Sequence, residues 1–177
     1  MSLTKETILE KITAKFGDAV TLDASSLDYV AVLVNTDKSY ELVKYLRDQE
    51  GFNFLTDVCG AHFPDNDKNA QFAVIYHMHN WLSGFRIRIK SFLDGENPVI
   101  DTVSDLFLSA NWQERETYDF YGIEFKNHPD LRRILNMDEM ESFPMRKEFP
   151  LEDQGRTDKD DRYFGRLPQT NNLPNLN

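Results

Sequence analysis

Residues 71–92 carry two alternating segments joined by a four-residue turn. Between Gln71 and Asn80, the apolar Phe72, Val74, Tyr76 and Met78 occupy every second position. Between Phe85 and Phe92, Ile87 and Ile89 alternate with Arg86, Arg88 and Lys90. Period-two alternation places all the apolar groups on one face of a strand. Trp81-Leu82-Ser83-Gly84 is short enough to join the two as a β-hairpin. An isolated two-stranded hairpin is marginal in water, so its apolar face needs more strands or helices to cover it.

The flanking segments supply that cover. Ile8, Leu9, Ile12 and Phe16 recur at helical spacing after a candidate N-cap at Thr4, and Gly17 ends the run. Tyr29–Val34 is a compact apolar run of buried-strand length. A second helix, capped by Thr36 or Asp37, carries Tyr40, Leu42, Val43, Tyr45 and Leu46 and stops at Gly51. Phe52–Phe63 reads as another strand, and Asp65-Asn66-Asp67 as a loop. Asp101–Gly122 reads as helical, with Asn111 as N-cap and Glu114 three residues on as in a capping box. The order predicts an α+β fold: helices packed on a mixed, mostly antiparallel sheet, then a further helix and an extended C-terminal arm. Residues 1–123 are assigned to the domain and 124–177 to the arm.

The arm has no sustained period, and Pro129, Pro144, Pro150, Pro168 and Pro174 interrupt it. It nevertheless repeats large apolar groups: Leu131, Ile134, Leu135, Met137, Phe143, Met145, Phe149, Leu151, Tyr163 and Phe164. Disordered segments are poor in such residues. The arm therefore folds either over its own domain or against another subunit.

Composition excludes whole classes of function. At 177 residues the chain can bury about 70% of its unfolded surface without disulfide staples. Its single cysteine, Cys59, excludes a cluster or zinc site held by four thiolates of this chain. A net charge of −10, from 20 Lys and Arg against 30 Asp and Glu, argues against nucleic acid as partner. No apolar run approaches the roughly 20 residues of a membrane span, and no signal peptide is expected from the N-terminus. Residues 1–60 hold 6 positive and 10 negative side chains, 61–123 hold 5 and 9, and 124–177 hold 9 and 11. The last third mixes both signs most densely, and Arg132-Arg133 and Arg146-Lys147 stand out as basic pairs facing either solvent or an oppositely charged partner.

Candidate chemistry is sparse. His77 and His79 share one strand face, but a closed metal site needs four ligands. Glu114, Arg115, Glu116 and Asp119 lie within two helical turns. Arg115 and Asp119 are four apart and positioned to pair; Glu114 and Glu116 do not face each other. That cluster has three readings: surface ion pairs, partner docking, or paired carboxylates of an autonomous hydrolase. No phosphate-binding glycine loop and no nucleophile elbow occur. Cys59, in an apolar strand, reads as an inert buried thiol.

The stretch Glu114-Arg115-Glu116-Thr117-Tyr118-Asp119-Phe120-Tyr121-Gly122-Ile123 resembles the signature of the 30 kDa subunit family of respiratory complex I. The likeness takes in Asn111-Trp112 before it, continues through His128-Pro129-Asp130-Leu131-Arg132-Arg133-Ile134-Leu135, and resumes in Pro144-Met145-Arg146-Lys147-Glu148-Phe149-Pro150-Leu151. Between them, Asn136–Phe143 is acidic and lacks the glycines common there in the family. The resemblance implies a structural subunit of the hydrophilic arm of a proton-translocating NADH:quinone oxidoreductase, inactive in isolation and binding no cofactor itself. FMN, iron–sulfur clusters, NADH and quinone would belong to other subunits. Its partners would be the forty-nine-kilodalton-type subunit and the iron–sulfur subunits, on the cytoplasmic side of the bacterial inner membrane. Equivalent subunits of membrane-bound hydrogenases, or of dehydrogenases using donors other than NADH, are the nearest alternative; a general interaction module unconnected with respiration is another. Arg115 and Asp119 would pair to fix the signature helix. Glu114 and Glu116 would face Arg132, Arg133 or the partner. Gly122 would shape the helix exit, and His128 and Pro129 the turn into the arm. Phe143, Phe149 and Leu151 would anchor the interface, with Arg146, Lys147 and Pro150 beside them.

Overall fold

The computed structural model describes residues 4–26 and 29–149. The expected hairpin is present as β4 (Phe72–Asn80) and β5 (Phe85–Leu93), paired antiparallel with Tyr76 opposite Ile89. Around it a five-stranded sheet includes β1 (Val20–Leu22), β2 (Val30–Val34) and β3 (Phe54–His62). The strand order is β1-β2-β5-β4-β3, and only the β2–β5 contact is parallel. The expectation of a mixed, mostly antiparallel sheet therefore holds.

Helices α1 (Lys5–Phe16) and α2 (Ser39–Glu50) cover one face. Ile8 and Ile12 of α1, and Leu42 and Leu46 of α2, lie in one apolar cluster with Phe72, Val74, Tyr76, Met78, Ile87 and Ile89, all almost fully buried. This is the face the period-two pattern marked as apolar. Burying a side chain of this size contributes about 1.5–3 kcal/mol, so the hairpin face and the helix stripes stabilise each other. Thr4 caps α1 through a reciprocal pair with Thr7, and Gly17 and Gly51 end the two helices. The start of α2 differs from expectation. Residues 36–38 form a tighter turn ahead of the helix, and the Thr36 hydroxyl donates to the Phe92 carbonyl at 2.9 Å instead of capping.

The stretch expected to be helical from Asp101 begins as strand β6 (Val99–Asp101), followed by turns; helix α3 spans only Ala110–Tyr121. β6 pairs in parallel with β7 (Glu124–Lys126) in a separate two-stranded sheet. Asn111 lies inside α3 and is not its cap. α3 packs on β3 at Gly60, where a Cβ would come within 2.6 Å of the Tyr121 ring and 3.0 Å of Thr117. Glycine is required there by close approach, not by backbone angle. Ile100, Val103, Phe107, Ala110, Ile123 and Phe125 extend the same core beneath α3.

One compact unit runs to Lys147, and residues 148–177 form a second unit of which Glu148 and Phe149 are described. The near part of the segment beginning at 124 thus folds over its own domain. Pro150, Leu151 and the rest of the expected arm lie outside the described residues.

Candidate functional site

α3 places its charged side chains on three different sides. Glu114 is fully buried and points back toward the segment after β6. Its Oε1 accepts from the Val103 N–H at 2.8 Å, and its Oε2 is hydrogen-bonded to the Thr102 hydroxyl. Asp119 is also fully buried but points forward, toward the chain returning after β7. It accepts from the backbone N–H groups of Ile134 (3.1 Å), Leu135 (2.8 Å) and Asn136 (2.9 Å), from the Asn136 amide at 3.1 Å, and from Arg133 Nη1 at 2.8 Å. Glu116 faces solvent.

The expected Arg115–Asp119 pair is not formed. Arg115 donates to the carbonyls of Arg132 and Arg133, both at 3.2 Å, and its guanidinium stacks on the Trp112 ring at 5.2 Å. The returning segment explains this. A loop without secondary structure offers unpaired N–H and C=O groups that must be satisfied when partly buried. Asp119 collects its donors and Arg115 its acceptors, so two neighbouring charges on one helix serve the loop separately. Nor do Glu114 and Glu116 face Arg132 or Arg133. Arg133 bonds Asp119 and the carbonyls of Asp119, Met140 and Ser142. Arg132 is exposed and pairs with Asp130 at 3.0 Å. Arg133 also organises the acidic Asn136–Phe143 stretch from within, where the sequence offers no glycine turn.

Burial and hydrogen bonding move the two carboxylates in opposite directions. Burial pushes Glu114 up to about 7, with the Asp105 charge helping, against the opposing bonds from Thr102 and Val103. For Asp119 burial alone would raise the pKa, but the N–H groups of Asn136 and Leu135 and the Arg133 guanidinium hold it well below the usual carboxylate range.

Gly122 leaves α3 in the left-handed conformation at φ 72°. A Cβ there would meet the Phe143 ring at 2.6 Å and Arg146 at 2.7 Å. Phe143 lies under the guanidinium groups of Arg133 and Arg146 and edge-on to Tyr118, so it is an anchor within the domain. Arg146 Nε donates to the Tyr121 carbonyl at 2.8 Å, and its guanidinium also covers Phe72. The exposed Lys147 donates its backbone N–H to His62 Nδ1 at 2.9 Å. The expected turn at His128 and Pro129 is present. Asn127 adopts φ 62°, and the fully buried His128 ring is held between the Asn111 carbonyl and the Asp130 N–H, both at 3.1 Å. Pro129 is exposed beside it, and Phe149 is 40% exposed.

With Glu114, Arg115 and Asp119 turned inward, large apolar side chains stand exposed around α3 beside Glu116 and Arg132. Leu108 is 89% exposed, Trp112 60%, Leu135 65% and Met137 74%. Leu108 and Trp112 are four residues apart, and Arg115 ties Trp112 to the 132–133 backbone next to Leu135. Large exposed apolar groups that gather on one surface mark interaction sites more often than scattered ones do. Nothing in a period-based reading singles out Leu108, because it lies in a turn.

The histidine strand holds a second polar group. Asp57, Cys59 and His77 bring potential ligand atoms within 4.8 Å of one another, whereas His79 packs on Phe54 and Trp81. His77 Nε2 accepts from Arg88 at 2.9 Å. Burial, then the Asp57 charge, pushes the Cys59 thiol up to about 12. With the Arg88 guanidinium on the imidazole and the thiol protonated, the three groups form a polar network between β3 and β4.

Residues 32–155 match the family described as "Respiratory-chain NADH dehydrogenase, 30 Kd subunit". The chain belongs to that family. Among curated members, the second C-type subunit of NADH-quinone oxidoreductase from Rhizobium meliloti (strain 1021) is 39% identical over 85% of this chain and 81% of the relative. The C-type subunit of the same enzyme from Roseiflexus sp. (strain RS-1) is 34% identical over 95% of this chain and 98% of its own length. Among solved structures, a trypsin-resistant fragment (1-134) of Nqo5 matches with a TM-score of 0.62 and 32% identity, covering 72% of this chain and all of the fragment. A chain of the membrane-bound sulfane sulfur reductase, an archaeal respiratory membrane complex, shares the fold with a TM-score of 0.68 at 21% identity, covering 82% of this chain and 85% of that one. By family, then, this is a complex I subunit of the C type. No helix among its described residues is long and apolar enough to cross a membrane.

Proposed function

We propose that this chain is a non-redox docking subunit of the hydrophilic arm of a proton-translocating NADH:quinone oxidoreductase. It holds the forty-nine-kilodalton-type subunit and neighbouring iron–sulfur subunits in place, and FMN, clusters, NADH and quinone are bound by those other subunits. It sits on the cytoplasmic side of the inner membrane and is peripheral through the complex. The observation that carries the reading is the inward commitment of Glu114, Arg115, Asp119 and Arg133, which fixes two loops and leaves Leu108, Trp112, Leu135 and Met137 outward. Desolvating aromatic and aliphatic groups of this kind is what gives subunit interfaces most of their energy. By the family resemblance, Phe149, Pro150 and Leu151 would add further apolar contacts to the partner.

The hydrolase reading loses its geometric basis. Paired carboxylates must face one reacting bond, and Glu114, Glu116 and Asp119 meet three different surroundings.

The test is recovery from detergent-solubilised membranes with a tag on this chain. Wild type is expected to bring down iron–sulfur subunits, and Trp112→Glu with Leu135→Asp to lose them while the purified chain stays folded. Recovery of wild type solely as a free soluble chain would overturn the proposal. Arg146→Glu is a poor probe, because Arg146 supports the domain's own packing.

A further inference from the structure

Glu114 holds the segment after β6, and its surrounding goes beyond what holding that loop requires. Its carboxyl is fully buried, yet no cation among the described residues is available to it. The imidazole of His128 approaches Glu114 Oε2 at 3.9 Å and is fully buried as well. Its two nitrogens are already assigned: Nε2 faces the Asn111 carbonyl and must carry the hydrogen, while Nδ1 accepts from the Asp130 N–H. Charging the ring would put a second hydrogen on Nδ1, against that N–H, and burial also disfavours the charged ring. Arg115 is directed to the carbonyls of Arg132 and Arg133. The other titratable groups nearby are Asp105 in the loop, Asp101 at the end of β6 and Tyr76 on β4. Tyr76 has a fully buried hydroxyl without a hydrogen-bond partner among the described residues, close enough to feel the charges of Glu114 and Asp101. Among the described residues, the charges near Glu114 are therefore negative, held neutral or directed elsewhere, which favours the protonated carboxyl.

The hydroxyls beside it form a line outward. Thr102 Oγ1 bonds Glu114 Oε2 and lies 2.8 Å from Ser104 Oγ, and Ser104 retains 8% exposure next to the exposed Asp105. With Glu114 protonated, its O–H donates to Thr102 and Thr102 donates to Ser104. With Glu114 ionised, both hydroxyls turn, Ser104 donating to Thr102 and Thr102 to the carboxylate. Each state satisfies all three groups with no heavy atom displaced. The Val103 N–H remains on Oε1 in both.

We infer that Glu114 is a buried proton-binding site of this subunit, loaded and emptied through the Thr102–Ser104 hydroxyl pair while the fold stays closed. The ligand is a single proton, and the site is independent of whether the docking proposal holds. Burial pushes the Glu114 carboxyl up to about 7, which brings its loading toward neutrality, where ordinary carboxylates are fully ionised.

The experiment is a carbon-13 titration of the glutamate side-chain carboxyls in the full-length chain. One resonance is expected to titrate with a midpoint near 7, shifted from about 4.5, and to vanish in Glu114→Gln, whose amide reproduces the protonated group's donor and acceptor. Thr102→Val removes a donor to the carboxylate and is expected to move the midpoint higher still. A nitrogen-15 spectrum at neutral pH should show His128 as the neutral Nε2–H form. Should Glu114→Gln fail to fold, the wild-type titration decides alone. If every glutamate titrates in the ordinary range, or if the near-neutral midpoint belongs to His128, the inference is wrong.

Discussion

Asp119→Ala probes the residue that most directly organises the chain after β7. Its carboxylate receives three backbone N–H groups, one amide and one guanidinium, all between 2.8 and 3.1 Å. Removing one member of a buried, hydrogen-bonded ion pair costs roughly 3–5 kcal/mol. Two features place this case at the lower end. Arg133 keeps the carbonyls of Met140 and Ser142, and the N–H groups around the exposed Leu135 can turn to water. A loss of about 3 kcal/mol is expected in urea unfolding of the full chain, with about 2 for Asp119→Asn, which keeps one acceptor oxygen. Because Asp119 is held below its ordinary value of 3.8, the contribution is fully present above that value and fades as pH falls through the lowered one. Wild type and Asp119→Ala should therefore converge in acid. Amide hydrogen exchange at Ile134, Leu135 and Asn136 should accelerate in the variant at neutral pH. A stability loss under about 1 kcal/mol together with unchanged protection at these three amides would refute the reasoning.

Other outcomes follow from the same contacts. Gly122→Ala should destabilise the chain by about 1–3 kcal/mol in chemical unfolding, since it adds a left-handed alanine to contact with Phe143 and Arg146. Between pH 4.5 and about 7 the native chain retains a proton on Glu114 that the unfolded chain has released, so stability should decline across that window. Glu114→Gln should remove that slope in pH-dependent melting. Cys59 should resist maleimide at neutral pH in the folded chain and react once urea unfolds it, because its thiol is pushed up to about 12.

The large elements were legible because they are periodic. The hairpin alternation, the helix stripes with Thr4, Gly17 and Gly51 at their ends, and the mostly antiparallel sheet all appear where the pattern places them. β1, β6 and β7 are three residues each, too short to show a period, and β6 and β7 form a ladder across more than twenty residues of intervening chain. The same distinction governs the site. The motif at α3 and the turn at His128 were visible, and so was the role of Gly122. The partners of Glu114, Arg115 and Asp119 were not, because local spacing suggests helix pairs while the actual partners are backbone groups of segments that only the tertiary fold brings near. Arg133 illustrates this most clearly: read as half of a basic surface pair, it is the internal support of a loop that has no glycine.

On the proposed function, the outward apolar face of α3 and the loop it holds bind a neighbouring subunit. The most direct measurement is site-specific crosslinking from position 112, through a photoreactive side chain replacing Trp112, in intact membranes, followed by mass spectrometry of the adduct. A dominant crosslink to the forty-nine-kilodalton-type subunit is expected, and it should disappear when Leu135→Asp is added. A photoadduct formed only with solvent, or an unchanged crosslink in the double variant, would contradict it.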